Sequence, residues 1–568
     1  MANRGMNKVE EDTLFNPEVV ASNYESGGIK SAEGEVSAFD DEYIPEEMKQ
    51  RPWRTQTRAF YSTALMCAVS ACIVGIDIAL VSGATVFYVP LFNISTRTNI
   101  LGLVSSATLL GGTFGSLISS LLNTSLGRKK TLFIAAVLST GAALWEALSP
   151  SWQMLLVGRL LLGVSMGLLT TTISLLLSEI TPYILRGGAV SIYQLLITGG
   201  IFIGYVVDAI FVNVDTVGWR LMLGATLVPS VLVIAGILFQ CESPRWLIET
   251  GRYEDALIVL KKLRPEAEHA EHDFAVMKKA VEEERALNKQ INPYKELLTV
   301  ASNRRALLVC IMIMLFQQYS AVNVFMYYVD YMLVNLLHVT SKTSVEASVV
   351  TGFVDFLFTW PVFWIVERWG RRKSLLAGFP IMFLALVLAL FSNYGSKNVK
   401  IGLFIVAIVI FLLGFAPALG PLPFVYSSEV FPLHLRSKAM GIIIFWYNVF
   451  DFVVAFSWPD MESSSMGLKG GYGFYGCCLV WGFIMVFLFV PETKGYTLEQ
   501  SHLIFEHSFS EIASYHWKTG IASMRRFFGM SVNEIDKLCP YDKGLNVSHA
   551  KATERELFQR MKTASSAT

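Results

Sequence analysis

Apolar stretches of about 20 residues, the length a helix needs to cross a bilayer core, recur along most of this chain and are separated by short polar connections. Twelve occur, at approximately 60–82, 100–122, 131–150, 154–177, 188–208 and 221–240, then 306–328, 345–366, 374–392, 402–426, 438–458 and 471–490. One such run fits a buried core helix. Twelve in series predict an all-α integral membrane protein with twelve transmembrane helices. The longest interior polar segment, 251–305, contains RYEDALIVLKKL and VMKKAVEEERALNKQ, both charged and both with helical periodicity. It predicts a helical linker between a six-helix bundle at 56–250 and a second at 306–495. Residues 1–55 are acidic and polar (EGEVSAFDDEYIPEE), carry no apolar core of the signal-peptide type, and read as a disordered tail. Residues 496–568 form a second polar tail. Its FSEIASYHWKTGIASMRRFFGMSV predicts an amphipathic helix, lying on the membrane surface or simply closing the tail.

Composition agrees. Hydrophobic residues make up 53% and charged residues 16%, against about a quarter charged in soluble domains. Lys and Arg balance Asp and Glu at 46 each, so the net charge says little. Charge placement says more. Arg128, Lys129 and Lys130 follow the second run, Arg368, Arg371, Arg372 and Lys373 the eighth, and Arg436 and Lys438 the tenth. Alternate connections are poorer, and Ser149 to Trp152 holds no Lys or Arg. The charge-rich side is therefore expected in the cytoplasm, with both termini and the linker. The plasma membrane is the default compartment, with the vacuolar membrane open. Basic clusters that follow topology give no support to nucleic-acid binding.

Other chemistry is sparse. The seven cysteines sit mostly within or beside apolar runs and show no metal-ligand spacing. No metal or cofactor is expected. No nucleophile–base constellation appears, and the glycine-rich GLKGGYGFYG at 467–476 lacks a preceding strand and a Lys-Ser/Thr pair. An enzyme is not expected. Asn93-Ile94-Ser95 is a glycosylation sequon in the first outside loop.

The two halves carry matching marks. LGRKK follows the second run and WGRRK the eighth; SEITPYILRGG follows the fourth and SEVFPLHLRSKAMG the tenth; CESPRWL ends the sixth and VPETKG the twelfth. Such recurrence signals duplication, and parallel six-helix halves are a transporter architecture. Gly127 and Gly370 suit tight turns. Arg128 and Arg371 can reach carboxylates at neighbouring helix ends, Glu179 and Glu242 in one half, Glu429 and Glu492 in the other. Such pairs predict an inner-face latch holding the halves in an outward-open state. Loop anchoring at the head groups is the plainer alternative.

One residue breaks the apolar pattern. In VGIDIALVSG, Asp77 sits within a run that is free of charge from Ala59 to Ile73. A carboxylate at the centre of a membrane helix costs about 2.5–3.5 kcal/mol on insertion scales, so Asp77 needs a partner or a task.

The ordered motifs GRLLLGVSMG (158–167), SEITPYILRG (178–187), ESPRWL (242–247), QQYSAVNVFMYY (317–328), ERWGRRKSLL (367–376), GPLPFVYSSEVFPLHLR (420–436) and PETKG (491–495) span roughly Thr55 to Glu499. Over that length the chain resembles the sugar porter family of the major facilitator superfamily, fungal members most in tail style and loop lengths. The resemblance implies transport of a sugar or polyol by alternating access. In proton-coupled members an Asp of the first helix pairs with an Arg of the fourth, which places Asp77 and Arg159 in that role. Burial favours a neutral carboxyl and a nearby guanidinium an ionised one, so opening and closing would couple the proton to conformation. The family's sugar contacts map onto Gln194, Gln317, Gln318, Asn323 and Asn448. Amides both donate and accept, as polyol hydroxyls require. The paired tyrosines of the outer gate fall at Tyr327 and Tyr328, and the inner-face charges at Arg128, Glu179, Arg186, Glu242, Arg371, Glu429, Arg436 and Glu492. Interhelical hydrogen bonding is the plain alternative for each polar residue.

Departures cluster in the second half of the implied sugar site. Asp355 and Asp451 replace neutral amides, Phe424 replaces a tryptophan, and Tyr447 stands in the eleventh-helix motif. Ser174 and Leu176 replace a proline and a tyrosine, Thr124 an aspartate, and Ala321 a glycine. Phe424 remains an apolar platform for a sugar face. Asp355 and Asp451 are open to three roles: holding substrate, carrying protons, or pairing with another helix. Hexose, pentose, polyol and disaccharide all stay open. Two readings compete with a proton symporter, a facilitative transporter and a transporter-like nutrient sensor.

Overall fold

The computed structural model describes residues 56–181, 186–214, 217–290, 292–337, 339–392, 397–494 and 503–527, and no strand occurs among them. The first bundle comprises α1 (Arg58–Leu91), α2 (Thr98–Leu126), α3 (Arg128–Ala147), α4 (Trp152–Ile180), α5 (Arg186–Phe211), α6 (Gly218–Gly224) and α7 (Leu227–Ile237). Four shorter or more polar helices follow: α8 (Pro244–Glu249), α9 (Tyr253–Leu263), α10 (Ala267–Gln290) and α11 (Pro293–Thr299). The second bundle holds α12 (Ala301–Gln318), α13 (Val322–Leu337), α14 (Ser341–Thr359), α15 (Val362–Trp369), α16 (Arg371–Phe391), α17 (Lys397–Gly414), α18 (Leu422–Glu429), α19 (Leu433–Ser463) and α20 (Gly467–Phe489). A last helix, α21, runs Phe509–Phe527.

Eleven helical segments among the described residues are long and apolar enough to cross a membrane. α3 occupies the third predicted run, but Arg128, Lys129 and Lys130 at one end and Glu146 at the other dilute its apolar character. Leu65, Leu121, Leu148, Val228 and Phe239 are each more than 60% exposed. An apolar skin of this kind suits lipid, not water.

Several predicted runs are broken, each for a local reason. The run at 306–328 divides at Tyr319-Ser320-Ala321, where Ala321 holds φ 81°. The run at 402–426 passes through a π-turn at Phe415–Leu419 before α18, because Pro417, Pro421 and Pro423 lack the N–H that a regular helix requires. The run at 345–366 breaks at Trp360-Pro361, before α15.

Helix packing follows the small residues. A Cβ on Gly163 would collide with the Thr108 carbonyl, one on Gly167 with Gly112, one on Gly111 with the Leu160 carbonyl and one on Gly115 with Val164. Two small-xxx-small faces thus interlock α2 and α4 at backbone contact. Gly75 on α1 and Gly200 on α5 interlock in the same way. Between bundles, α2 packs on α19, α5 on α14 and α1 on α13. Call the end bearing Gly127 and Gly370 the latch end, and the opposite end, with the turns after Leu91 and Ser463, the far end. Cross-bundle contacts close the far end. Tyr205 donates to the Met326 carbonyl at 2.8 Å, the Asp330 N–H donates to Ser82 Oγ at 3.3 Å, and Gly102 lies against the Phe456 carbonyl.

The polar segment at 251–305 is helical as expected, and it docks on the first bundle. Buried Arg264 donates through Nη1 to the Ile180 carbonyl at 2.9 Å and through Nε to Asp273 at 2.6 Å, capping the C-terminus of α4. The expected tail helix is α21, and it packs on protein. Its Phe509 ring meets Phe489 edge-on at 5.7 Å, Ile512 is buried, and His516 Nδ1 bonds the Leu488 carbonyl at 2.8 Å. The N-terminal tail, and the C-terminal tail outside 503–527, lie outside the described residues.

Two predictions follow from these packing features. The left-handed backbone of Ala321 strains an L-residue by about 1–2 kcal/mol, partly offset in glycine by unfolded-chain entropy. Ala321→Gly is therefore expected to raise the thermal midpoint, with a gain of about 0.5–1 kcal/mol, measured by melting of purified protein. Burial and the Arg372 charge, against the Leu488 hydrogen bond, push His516 down from 6.5 to about 4. A base depressed by folding contributes stability above its unfolded pKa and loses it as pH falls. Protection from hydrogen exchange in α21, normalised for chemical exchange at each pH, is expected to fall as pH drops from about 6.5 to about 4, and not in His516→Gln.

Candidate functional site

The break between α12 and α13 leaves Gln317 and Gln318 at a helix end, with Asn323 in the first turn of α13. Asn323 Nδ2 donates to Gln318 Oε1 and to Asp451 Oδ1, both at 2.6 Å. This joins the broken helix to α19. The Tyr447 ring, one turn from Asp451, meets Phe424 edge-on at 5.3 Å. Gln317 Nε2 donates to the Gly420 carbonyl at 3.0 Å. Asp451 is thus partnered to an amide, and Phe424 belongs to an aromatic pair.

Two buried polar atoms in this layer have no hydrogen-bond partner, Gln317 Oε1 and Gln318 Nε2, and on α14 Asp355 Oδ1 has none either. Buried polar atoms are normally satisfied, so these are hydrogen-bonding positions left open in the closed core. Gln194 is half-buried on α5. Asn448 donates to the Ile444 carbonyl at 2.9 Å and lies against Gly112 of α2, so it faces the other bundle. Asp355 is not hydrogen-bonded to the amides and lies within electrostatic reach of Tyr205.

Asp77 has its partner. Arg159 Nη2 stands 3.9 Å from Asp77 Oδ2, with both side chains fully or nearly fully buried. The same nitrogen donates to the Ser105 carbonyl at 3.4 Å and to Thr108 Oγ1 at 3.3 Å. Sequence reading missed a third member, Glu146 on α3. It is completely buried, neither oxygen has a hydrogen-bond partner, and it sits within electrostatic reach of Arg159 and Asp77. Its side chain rests against Gly158, the residue before the arginine. A lone charge near the end of an apolar run was the available signal. Two carboxyls therefore share one guanidinium, and a dry cluster of that composition is balanced when it holds one proton.

Tyr327 lies within electrostatic reach of Asp451, Asp77, Tyr447 and Arg159, between the amide layer and the charge cluster. Tyr328 donates to the Ala455 carbonyl at 2.7 Å and pairs with Ser105 of α2. Both tyrosines are buried, on the closed side of the site.

The latch residues meet as the motifs suggested, with one difference. Arg128 Nη2 contacts Glu179 Oε1 at 2.6 Å, while Glu242 accepts the Arg128 and Lys129 backbone N–H groups at 2.9 and 3.0 Å. Arg371 Nη2 contacts Glu429 Oε1 at 2.6 Å, and Glu492 accepts the Arg371 N–H at 2.8 Å. Gly127 and Gly370 hold φ of 89° and 86°, and a Cβ on either would strike the glutamate opposite. Each set is closed within its own bundle. With the far end closed, the arginine and both its glutamates of each set come from one six-helix bundle and brace it internally. Arg436 donates to the Phe431 carbonyl at 3.3 Å. The Arg186 side chain lies outside the described residues.

The comparisons decide the family. The profile described as "Sugar (and other) transporter" matches residues 63–505. The chain belongs to that sugar transporter family. The transporter is 30% identical over 461 residues to the galactose-proton symporter of Escherichia coli strain K12, covering 80% of this chain and 96% of that protein. It is 33% identical over 454 residues to a myo-inositol transporter of Gibberella moniliformis, covering 78% of each. It is 32% identical over 432 residues to a low-affinity glucose transporter of Saccharomyces cerevisiae, covering 73% and 74%. Its fold matches the major facilitator superfamily proton:xylose symporter XylE bound to 6-bromo-6-deoxy-D-glucose, with TM-score 0.68 at 22% identity over 79% of this chain and 99% of that one; the symporter is from E. coli. This is a multi-pass membrane transporter and not an enzyme.

Removing one partner from a buried charge cluster costs about 3–5 kcal/mol. Arg159→Leu in this transporter is expected to lose that much thermal stability. Neutralising both acids with Asp77→Asn and Glu146→Gln should recover most of it, and Asp77→Asn alone should recover clearly less. Melting curves of the single, double and triple variants check this.

Proposed function

We propose that this transporter carries an uncharged sugar or polyol by alternating access, driven by proton symport. The single observation that carries the coupling is the Asp77–Arg159 pair with Glu146 beside it: two acids and one cation, all buried. In the closed site the cluster keeps one proton. Opening to water hydrates the acids and lets that proton leave. The substrate layer is Gln194, Gln317, Gln318, Asn323 and Asn448, with Phe424 and Tyr447 giving an apolar face. The relatives support the substrate class: a galactose-proton symporter, a myo-inositol transporter and a glucose transporter are among them.

The basic latch end faces the cytoplasm by the positive-inside rule, so the closed far end is external. α3, the third span in chain order, brings the eleven to twelve, and the halves divide at the polar helices α8–α11. Plasma membrane is the compartment of choice. Asp451, held by Asn323 at 2.6 Å, keeps acceptor capacity for a substrate rich in hydroxyl donors.

The test is uptake of a labelled sugar and polyol panel in transporter-deficient cells, at acidic and neutral outside pH, with and without a protonophore. Acid-stimulated, protonophore-sensitive accumulation is expected. Asp77→Asn should lower accumulation at least about tenfold, equivalent to about 1.4 kcal/mol of lost driving force, while leaving substrate exchange intact. Uptake indifferent to pH and to that substitution would leave a facilitator. No uptake despite surface expression would point to a sensor.

A further inference from the structure

A second group of buried acids lies at the far end, away from Arg159. Asp208 on α5 is completely buried, and the Gly83 backbone is the hydrogen-bonding group beside its carboxyl, with no side-chain partner. Its carboxyl rests against Gly83 of α1, where a Cβ would collide with it. Asp330 on α13 is also completely buried and within electrostatic reach of Asp208. Asp330 Oδ1 accepts from Ser344 at 2.9 Å and Ser348 at 2.6 Å, while its Oδ2 has no partner. The Asp330 N–H donates to Ser82. The group thus spans α1 and α5 of one bundle and α13 and α14 of the other.

The surrounding charges do not neutralise it. Tyr205 and Asp355 are the other titratable groups nearby, from α5 and α14. Arg220, on α6, donates to the Ala147 carbonyl and stacks on Trp219. Lys342 and Glu346 of α14 are exposed. Among the described residues no Lys, Arg or His forms an ion pair with Asp208 or Asp330. Two carboxylates sharing a dry site cannot both ionise. Bare, unpaired charges at this interface would be paid for by separating the bundles and admitting water.

The geometry points to Asp208 and Asp330 as a second proton-binding site, one shared proton fastening the closed far end of the interface. When the proton leaves to bulk water, repulsion and hydration open that end; when it returns, Ser82, Ser344 and Ser348 again align Asp330 across the interface. This rests on the alternating-access reading, but its readout needs no transport.

The test is hydrogen exchange by mass spectrometry on the purified full chain, over residues 98–104 and 324–332, normalised for chemical exchange at each pH. In wild type, protection should fall as pH rises, by up to about tenfold per pH unit, the limit for one linked proton. Asp208→Asn, whose amide mimics the protonated acid, should stay protected at high pH. Asp330→Asn should do the same and serves if Asp208→Asn does not fold. Asp77→Asn should keep the wild-type pH dependence at these segments. Flat wild-type protection would overturn the proposal. So would unchanged pH dependence in both far-end variants, or its loss in Asp77→Asn alone. Protection restored at high pH by sodium but not by choline would assign the site to a metal cation instead of a proton. Failure of sugar uptake would sink the transport reading without touching these outcomes.

Discussion

Arg159 is the constraint around which the first bundle is arranged. A guanidinium with no exposed surface in the middle of a membrane domain needs counter-charge from other helices. Asp77 comes from α1, Glu146 from α3, and the Ser105 carbonyl and Thr108 hydroxyl from α2. The α2 groups reach it because α4 lies at backbone contact with α2 through Gly111, Gly115, Gly163 and Gly167, and Glu146 because α3 rests on Gly158. The glycine pattern and the charge cluster are one device. Small residues supply the proximity, and proximity makes the buried charges tolerable.

The second constraint is duplicated. In each bundle a left-handed glycine brings a glutamate carboxylate onto the N-terminal N–H groups of the next helix, while the following arginine clamps a second glutamate. A helix N-terminus favours negative charge and leaves N–H groups in need of acceptors. Glu242 and Glu492 satisfy both needs at once. Each bundle is therefore a braced unit, which suits rigid-body rocking of one half against the other.

The second bundle trades regularity for chemistry. Its helices break at Ala321 and across the prolines of GPLPF, and the breaks expose amide and carbonyl groups in the membrane interior. Irregular backbone at that depth is tolerated where protein or a cavity receives it. Gln317 bonds the Gly420 carbonyl in this way, tying one break to the other. The departures from the family's sugar motif fall around these breaks. Asp451 is held by Asn323 and Tyr447 is packed on Phe424, so the altered residues form a coherent new layer.

Much of this was legible in the sequence. Apolar run length sets the spans, because backbone groups in lipid must be satisfied within a helix. The paired LGRKK/WGRRK and ESPRWL/PETKG marks announce the duplication, and a lone Asp77 announces a partner. Tertiary structure alone decided the rest. Glu146 looked like an interface charge until α3 packed against Gly158 and put it beside Arg159. The latch motifs named the arginines and glutamates, and the packing shows which glutamate caps the helix and which one the guanidinium clamps. Asp208 and Asp330 lie 122 positions apart, and only the closure of α5 and α1 on α13 and α14 makes them neighbours. Periodicity and motif report what a segment does along its own axis. Which buried charges meet depends on how separate helices are rotated and paired, and that is settled by contacts between residues far apart in the chain.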